Sequence, residues 1–201
     1  MTAAATEPPA QAATSEPEQL TPDGETVTVG DITFLIPNGL ASGASSTITT
    51  DVELPYINPS NGDMPNHIKF TLENYAVQGS TFTPEIMVFR SSEYAQYGEG
   101  NAEYLNTLQS LQYTDGQPLP EDLDTSFSAQ PHALNFKNGH GVRYLTQIFQ
   151  NFNPVNNKDL YYYYQGVSDD GQYFVQAVLP INAPFLAADD NPNTPLPADG
   201  I

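Results

Sequence analysis

Residues 132–181 read HALNFKNGHGVRYLTQIFQNFNPVNNKDLYYYYQGVSDDGQYFVQAVLPI, and this stretch decides the fold. Four segments rich in aromatic and aliphatic residues are separated by KNGHG, NPVNNK and SDDG, in which Asn, Asp and Gly allow the backbone to reverse. Such a series predicts an antiparallel β-meander. Because successive side chains of a strand point to opposite faces, Tyr162 and Tyr164 should lie on one face and Tyr161 and Tyr163 on the other. Both faces are aromatic, so we expect both to be covered at least in part.

The segments upstream of the meander complete an α+β pattern. Residues 26–37 (TVTVGDITFLIP) predict a hairpin that turns at Gly30 and Asp31, and residues 67–72 and 85–90 alternate as strands do. Between these strands and the meander, a short turn capped near Ser91 and a helix capped by Asn101 are expected, with Leu105, Leu108 and Leu111 on one helical face. We predict an antiparallel sheet of roughly six to eight strands, with helix on one face and long loops across the other.

Composition divides the chain into three parts. Residues 1–24 are almost wholly Ala, Thr, Pro, Glu, Gln and Ser, which cannot bury enough apolar surface to offset chain entropy, so we predict a disordered tether. Residues 25–186 form one predicted α+β domain, and residues 187–201 form an acidic tail rich in Pro and Asn. A tether before an acidic domain suits an exported, envelope-anchored protein. We therefore expect a signal peptide and a lipidated cysteine upstream, and a natural chain that continues past Ile201.

The charge balance excludes two classes of partner. The chain carries 24 acidic and 5 basic residues, a formal net charge of −19 at pH 7. Nucleic acids and anionic membrane surfaces are bound mainly through cations, so neither fits this composition. The absence of cysteine excludes disulfides, thiolate nucleophiles and cysteine-based metal centres, and no apolar run is long enough to cross a bilayer. We expect a monomer without a cofactor.

Three segments of the chain are distinctive. They are HIKFTLENY, the SSEY and LNTLQSL helical region, and above all the pattern FxNGxGVRxLTQ followed by YxxQGxxDDGxYxVxAxLP. Together they resemble a family of exported bacterial lipoproteins of unknown function. His140 departs from the pattern, since a small residue is usual in that turn. The resemblance implies an envelope location and assigns no activity. The order of the predicted elements is also similar to the Mog1/PsbP-like fold, and such a similarity implies no function by itself.

The tyrosines of the meander suggest a ligand site. Tyrosine presents a flat apolar ring and a hydroxyl group, the combination that sugars and peptides exploit. The candidate ligand-binding residues are Tyr144, Tyr161, Tyr163, Arg143 and Tyr173. Aromatic residues also favour strands and pair across them, and core packing is the more common outcome. Arg143, in mid-strand, should reach solvent or pair with an acid such as Asp159 or Glu85.

The sequence contains no defensible catalytic motif and no complete metal-binding motif. Asp122 and Asp124, and again Asp189 and Asn191, begin patterns like calcium loops, but both patterns lack the Gly and the bidentate Glu of an EF-hand. The three histidines lack the short spacings of a shared metal site. They are His67, His132 and His140, of which we expect the first and last to be solvated beside turns.

These observations favour a lipid-tethered, non-enzymatic domain that binds a protein, peptide or glycan partner outside the cytoplasm. The alternative is a hydrolase of an extracytoplasmic polymer that uses a carboxylate pair, with acids of residues 113–131 as candidates. Acid–base catalysis would require two carboxyl groups in a concave pocket, one of them with a strongly raised pKa. A structural or assembly subunit would instead show a large flat apolar patch and self-association.

Overall fold

The computed structural model describes residues 23–49, 65–123, 127–147 and 154–198. The strands in these ranges are β1 (Gly24–Val29), β2 (Ile32–Pro37), β3 (Gly43–Thr49), β4 (His67–Glu73), β5 (Glu85–Arg90), β6 (Ala129–Ala133), β7 (Gly139–Thr146), β8 (Tyr161–Ser168) and β9 (Tyr173–Pro180). The helices are α1 (Ser91–Tyr97) and α2 (Asn101–Gln109), and a 3₁₀ turn spans Glu121–Leu123. No helix in the described ranges has the length and apolar character needed to cross a membrane.

Seven of these strands form one antiparallel sheet in the order β3-β4-β5-β9-β8-β7-β6, while β1 and β2 pair with each other. Strands β7, β8 and β9 are consecutive neighbours, so the predicted meander is confirmed. Both helices lie in the connection between β5 and β6. The predicted α+β class, with an antiparallel sheet and helix on one face, is therefore confirmed.

One face of the sheet, here called the helix face, packs against α1 and α2. Its side chains come from alternate positions of four adjacent strands and include Met87, Phe89, Tyr144, Tyr163 and Phe174. Phe174 lies at the centre, with its ring centroid 5.7 Å from that of Phe89 and 4.6 Å from that of Tyr94 in α1. Leu105 and Leu108 of α2 are buried over the same cluster. The prediction that Leu105 and Leu108 share one helical face is confirmed, and this face packs on the core.

The helices begin without the expected side-chain caps. Gly100, at φ 86°, is the N-cap of α2, because a left-handed backbone is required there and glycine adopts it without strain. Asn101 is instead the first helical residue, and its Nδ2 donates to the carbonyl oxygen of Tyr94 at 2.9 Å. This hydrogen bond ties α2 to α1 rather than capping α2. In α1, no side-chain cap is formed at its N-cap, Arg90.

The opposite face of the sheet is covered in part by the β1–β2 hairpin. The hairpin turns at Gly30, at φ 57°, and Asp31, as the sequence predicts. The Phe34 ring meets the Phe70 ring of β4 edge to face, with centroids 5.0 Å apart. A second apolar cluster of Ile36, Leu72 and Tyr75 lies under the hairpin. The hairpin therefore covers this part of the sheet, and loop residues such as Tyr75, Leu40 and Val77 pack in the same cluster.

Some predicted boundaries differ from the structure or lie outside it. Strand β3, in a stretch predicted to be mostly irregular, pairs with β4 from Gly43 onward, several residues before the weak strand expected near residues 48–54. Residues 50–64 lie outside the described part. The predicted tether does too, apart from residues 23 and 24. Strand β6 contains Pro131, which an edge strand tolerates, and a register shift near Gln130.

The expectation that His67 is solvated is wrong. Its side chain is 5% exposed and lies on Phe89, with ring centroids 4.8 Å apart. The two residues are opposite each other in the β4–β5 pairing, so strand alternation places His67 on the helix face. Burial lowers the pKa of His67, and its Nδ1 lies 3.0 Å from the carbonyl oxygen of Pro65. His140 is half-buried, with Nε2 3.1 Å from the carbonyl oxygen of Leu108 at the end of α2.

Replacing Phe174 with Ala should lower the free energy of unfolding by about 3–5 kcal/mol, because the ring is fully buried and its removal leaves a cavity. The matched control is Val175→Ala, which changes the next residue on the other, half-exposed face. That change should cost less than about 1.5 kcal/mol. Urea unfolding of both variants measures the difference. Equal costs would contradict the assignment of the two faces.

Candidate functional site

The five predicted ligand-binding residues fall on two different faces of the sheet. Tyr144, Tyr161 and Tyr163 lie on the helix face and are 0%, 4% and 8% exposed. Burial raises the pKa of Tyr161 and of Tyr163. Arg143 and Tyr173 lie on the opposite face, because each directly precedes or follows a residue of the helix face. The structure therefore brings Arg143 and Tyr173 onto one face and places the other three in the core.

Beyond the hairpin, strands β7, β8, β9 and β5 leave part of the sheet exposed. We call this area the open face and define it by Arg90, Arg143, Tyr162, Tyr164, Tyr173 and Val175. All six side chains are partly or fully accessible. The open face is thus the site at which the predicted ligand-binding residue types meet solvent.

Both arginines of the chain lie on the open face, and each stacks on a tyrosine. The Arg143 Cζ atom is 4.8 Å from the centroid of the Tyr162 ring, and the Arg90 Cζ atom is 4.4 Å from that of Tyr173. A guanidinium that lies over a ring keeps its planar edge of N–H donors free for other partners. Stacking also holds the side chain in one place before any ligand arrives.

Arg143 does not form the expected salt bridge. Among the residues that the structure describes, neither arginine has a carboxylate within 4 Å. Glu85 instead faces Lys69, with 3.7 Å between Oε2 and Nζ. Asp159 accepts hydrogen bonds from Thr81 and Asn156. The two acids that the sequence offered as partners are therefore engaged elsewhere.

Tyr164 lies along the surface of the sheet over two glycines. A Cβ atom added at Gly166 would lie 2.2 Å from the Tyr164 hydroxyl oxygen, and one added at Gly141 would lie 2.7 Å from it. A side chain at either position would also meet the backbone of the neighbouring strand, at 2.2 Å from the Gln165 carbonyl oxygen for Gly141 and at 2.8 Å from that of His140 for Gly166. The hydroxyl donates to the carbonyl oxygen of Leu134 at 3.4 Å, and burial raises the pKa of Tyr164. The two glycines thus leave room for the Tyr164 ring beside Arg143, and Tyr164 and Arg143 are opposite each other in the β7–β8 pairing.

A hydrogen-bonded pair borders the open face at β6. His132 lies opposite Arg143, and its Nδ1 is 2.7 Å from Oδ2 of Asp115. The backbone N–H of Ala133 donates to Oδ1 of Asp115 at 2.9 Å. These two hydrogen bonds, the His132 bond foremost, lower the pKa of Asp115, and the charge of Arg143 adds to the effect. Sequence reasoning missed His132 as a site residue, because the contact with Asp115 depends on where the loop between α2 and β6 runs.

A cavity of about 310 Å³ opens beside the stack of Arg90 on Tyr173. It lies between the tip of the hairpin, at Gly30 and Asp31, and the end of β5 at Val88. A volume of this size lies at the lower end of the range of small-molecule sites, ~300–1,000 Å³. The open face therefore runs from the His132 pair at one end to a concave site at the other.

The calcium-like patterns do not form a metal site in the described part of the chain, where no group of three or more His, Cys, Asp or Glu side chains is placed to hold a metal ion. Oδ1 of Asp189 accepts from the backbone N–H of Asn191 at 3.1 Å and from the Thr194 hydroxyl, which lowers the pKa of Asp189. Oδ1 of Asp189 is thus engaged by hydrogen bonds within its own loop. Asp124 and the side chain of Asp122 lie outside the described residues.

No protein-family model, no curated protein and no solved structure matches the chain. The resemblance to exported lipoproteins and the similarity to the Mog1/PsbP-like fold therefore stay predictions.

Replacing His132 with Phe should raise the pKa of Asp115 toward its ordinary value of about 3.9, because the strongest hydrogen bond to the carboxylate is lost. Carbon-detected NMR titration of the carboxyl group measures the change. Because the pKa of Asp115 is lowered by folding, its ionised carboxylate stabilises the fold at any pH above the pKa of the unfolded chain. This stabilisation is lost as the pH falls from that pKa through the lower pKa of the folded state.

Asp170 is the internal control for this titration. Its pKa is lowered by hydrogen bonds from Ser168 and Gln172, which the substitution leaves in place. The titration curve of Asp170 should therefore not move. An Asp115 curve that also stays in place would show that His132 does not hold the carboxylate.

Proposed function

We propose that this chain is a non-enzymatic binding domain that holds a glycan on its open face, and that it acts outside the cytoplasm at the end of a lipid-anchored tether. One observation carries the glycan assignment. The Tyr164 ring lies along the sheet next to an arginine that is already held in place by stacking. Sugars bind where flat aromatic rings adjoin a few fixed polar groups. The location rests on the composition of residues 1–24.

A glycan fits the open face better than a protein partner does. The centre of a protein interface is apolar and is built around buried aromatic or aliphatic anchors. The exposed large apolar side chains in the described ranges are Leu35, Ile48, Leu134, Phe185 and Leu196. None of the five is among the six residues that define the open face, and Ile48 lines the cavity at its Arg90 end. Five of those six residues are tyrosines or arginines, so most accessible groups of the face are tyrosine rings and guanidinium N–H donors. These five exposed apolar side chains come from separate segments of the chain, which gives no support to an assembly subunit with a flat apolar patch.

The hydrolase alternative has less support from the carboxyl groups. Burial raises the pKa of Glu85, but the group that faces Glu85 is the Lys69 ammonium rather than a second carboxyl. Asp115, which lies in the segment of candidate acids, has a lowered pKa, and both of its oxygens accept hydrogen bonds. A carboxylate pair that exchanges a proton with a substrate needs one member with a raised pKa. In the described part of the chain, neither Glu85 nor Asp115 combines a raised pKa with a neighbouring second carboxyl group.

An array of polysaccharide fragments, followed by calorimetry on the fragments retained, tests the proposal. Tyr164→Ala should weaken binding about tenfold, the loss expected for one stacking contact. Gly166→Ala should weaken it by a similar factor although the tyrosine is kept, because the added methyl group would lie 2.2 Å from the Tyr164 hydroxyl oxygen and 2.8 Å from the carbonyl oxygen of His140, so that the ring or the strand must move.

Lys158→Gln is the matched control, since it changes an exposed residue outside the open face and should leave affinity unchanged. Circular dichroism of each variant verifies that the fold is kept. If the array retains no glycan, or if folded Tyr164→Ala binds as tightly as the parent chain, the proposal is wrong.

A further inference from the structure

We infer that the glycan is acidic and that Arg143 and Arg90 each take one of its carboxylates, an inference that rests on the proposed function. The chain has 24 acidic residues and two arginines. In so acidic a protein a guanidinium would ordinarily pair with a carboxylate of its own chain, because this is the strongest hydrogen-bonding partner available. In the described ranges both arginines lack such a pair and lie on tyrosines instead. Among the described residues, the two guanidinium groups of the open face therefore have no carboxylate partner.

Asp115, an acid whose carboxylate feels the charge of Arg143, is engaged by other groups. Asp115 is close enough for the arginine charge to lower its pKa, yet its two oxygens accept from His132 and from the backbone of Ala133. These bonds hold Asp115 at the border of the face, where it does not neutralise the guanidinium. At the other end, Asp31 and Glu93 line the cavity beside Arg90 but form no ion pair with it. As far as the described ranges go, no carboxylate pairs with either guanidinium, and both can donate to an external anion.

The spacing of the two arginines requires an extended ligand. Arg143 is opposite Tyr164, Tyr164 is opposite Ala177, and Ala177 lies four residues along β9 from Tyr173, the partner of Arg90. Three strand spacings in one direction and four residues in the other place the two guanidinium-bearing positions about 20 Å apart. The shortest path between them crosses Tyr164 and Val175. An acidic monosaccharide reaches one arginine, whereas an acidic oligosaccharide of sufficient length reaches both.

Calorimetry with galacturonic acid oligomers of increasing length, and with their neutral methyl esters, tests the inference on the full chain. The acid oligomers should bind about tenfold or more tightly than the esters, because hydrogen bonds to a charged carboxylate are replaced by bonds to a neutral group. The titrations belong at about 0.15 M salt, where repulsion from the distant carboxylates of the protein is screened beyond about 8 Å.

The arginine variants locate the contacts. Arg143→Gln should weaken binding of the acid form about tenfold and leave binding of the ester unchanged. Arg143→Lys keeps the charge but lacks the planar fork, and it should also weaken binding of the acid form. Arg90→Gln should matter only for oligomers long enough to span about 20 Å. Lys158→Gln also removes one positive charge, and it should change the affinity for neither the acid nor the ester oligomers.

The outcomes separate this inference from the proposed function. Equal affinity for acid and ester forms, or an unchanged affinity in folded Arg143→Gln, overturns the assignment of carboxylates while glycan binding stands. Tighter binding of a sulfated polymer than of the carboxylated one overturns the choice of carboxylate. If neither charged nor neutral oligomers bind, and the polysaccharide array is also empty, the proposed function fails as well.

Discussion

The alternation of side chains along β8 is the constraint on which the rest of the structure depends. Tyr161 and Tyr163 point into the layer between sheet and helices, and Tyr162 and Tyr164 point away from it. A slip of one residue in the pairing of β8 would exchange the two sets, so that Tyr162 and Tyr164 would point into the core and Tyr161 and Tyr163 onto the open face. The position of the proposed site is therefore a consequence of strand register.

Buried polar contacts hold that register. Gln165 and Gln176 face each other across β8 and β9, and each Nε2 atom donates at 2.6 Å to a tyrosine hydroxyl, of Tyr144 and Tyr163 respectively. The Tyr144 hydroxyl donates in turn to the carbonyl oxygen of Leu123, which ties the 3₁₀ turn to the sheet. Such contacts are directional, and a shifted register would leave several buried polar groups without partners. Apolar packing alone would discriminate less sharply between registers.

Much of the fold was predictable, because it depends on local patterns. The meander, the hairpin turn at Gly30 and the alternation of the four tyrosines follow from turn residues and from the period of two. Which face the helices would cover was not predictable, because that depends on where the connection between β5 and β6 crosses the sheet. For this reason the candidates drawn from the tyrosine-rich strands include Tyr144, Tyr161 and Tyr163, which the structure buries. The same dependence on tertiary contacts concealed the burial of His67 and the pairing of Asp115 with His132.

Nitration of the folded chain with tetranitromethane, mapped by mass spectrometry to single residues, tests the central claim most directly. The reagent needs an accessible ring and a hydroxyl that can ionise, and burial withholds both. We expect the reagent to modify Tyr162 and Tyr173 and to leave Tyr161 and Tyr163 unmodified. Within β8, reactivity should therefore alternate between adjacent residues. Modification of Tyr161 or Tyr163 as readily as Tyr162 would contradict the register of β8 and, with it, the open face.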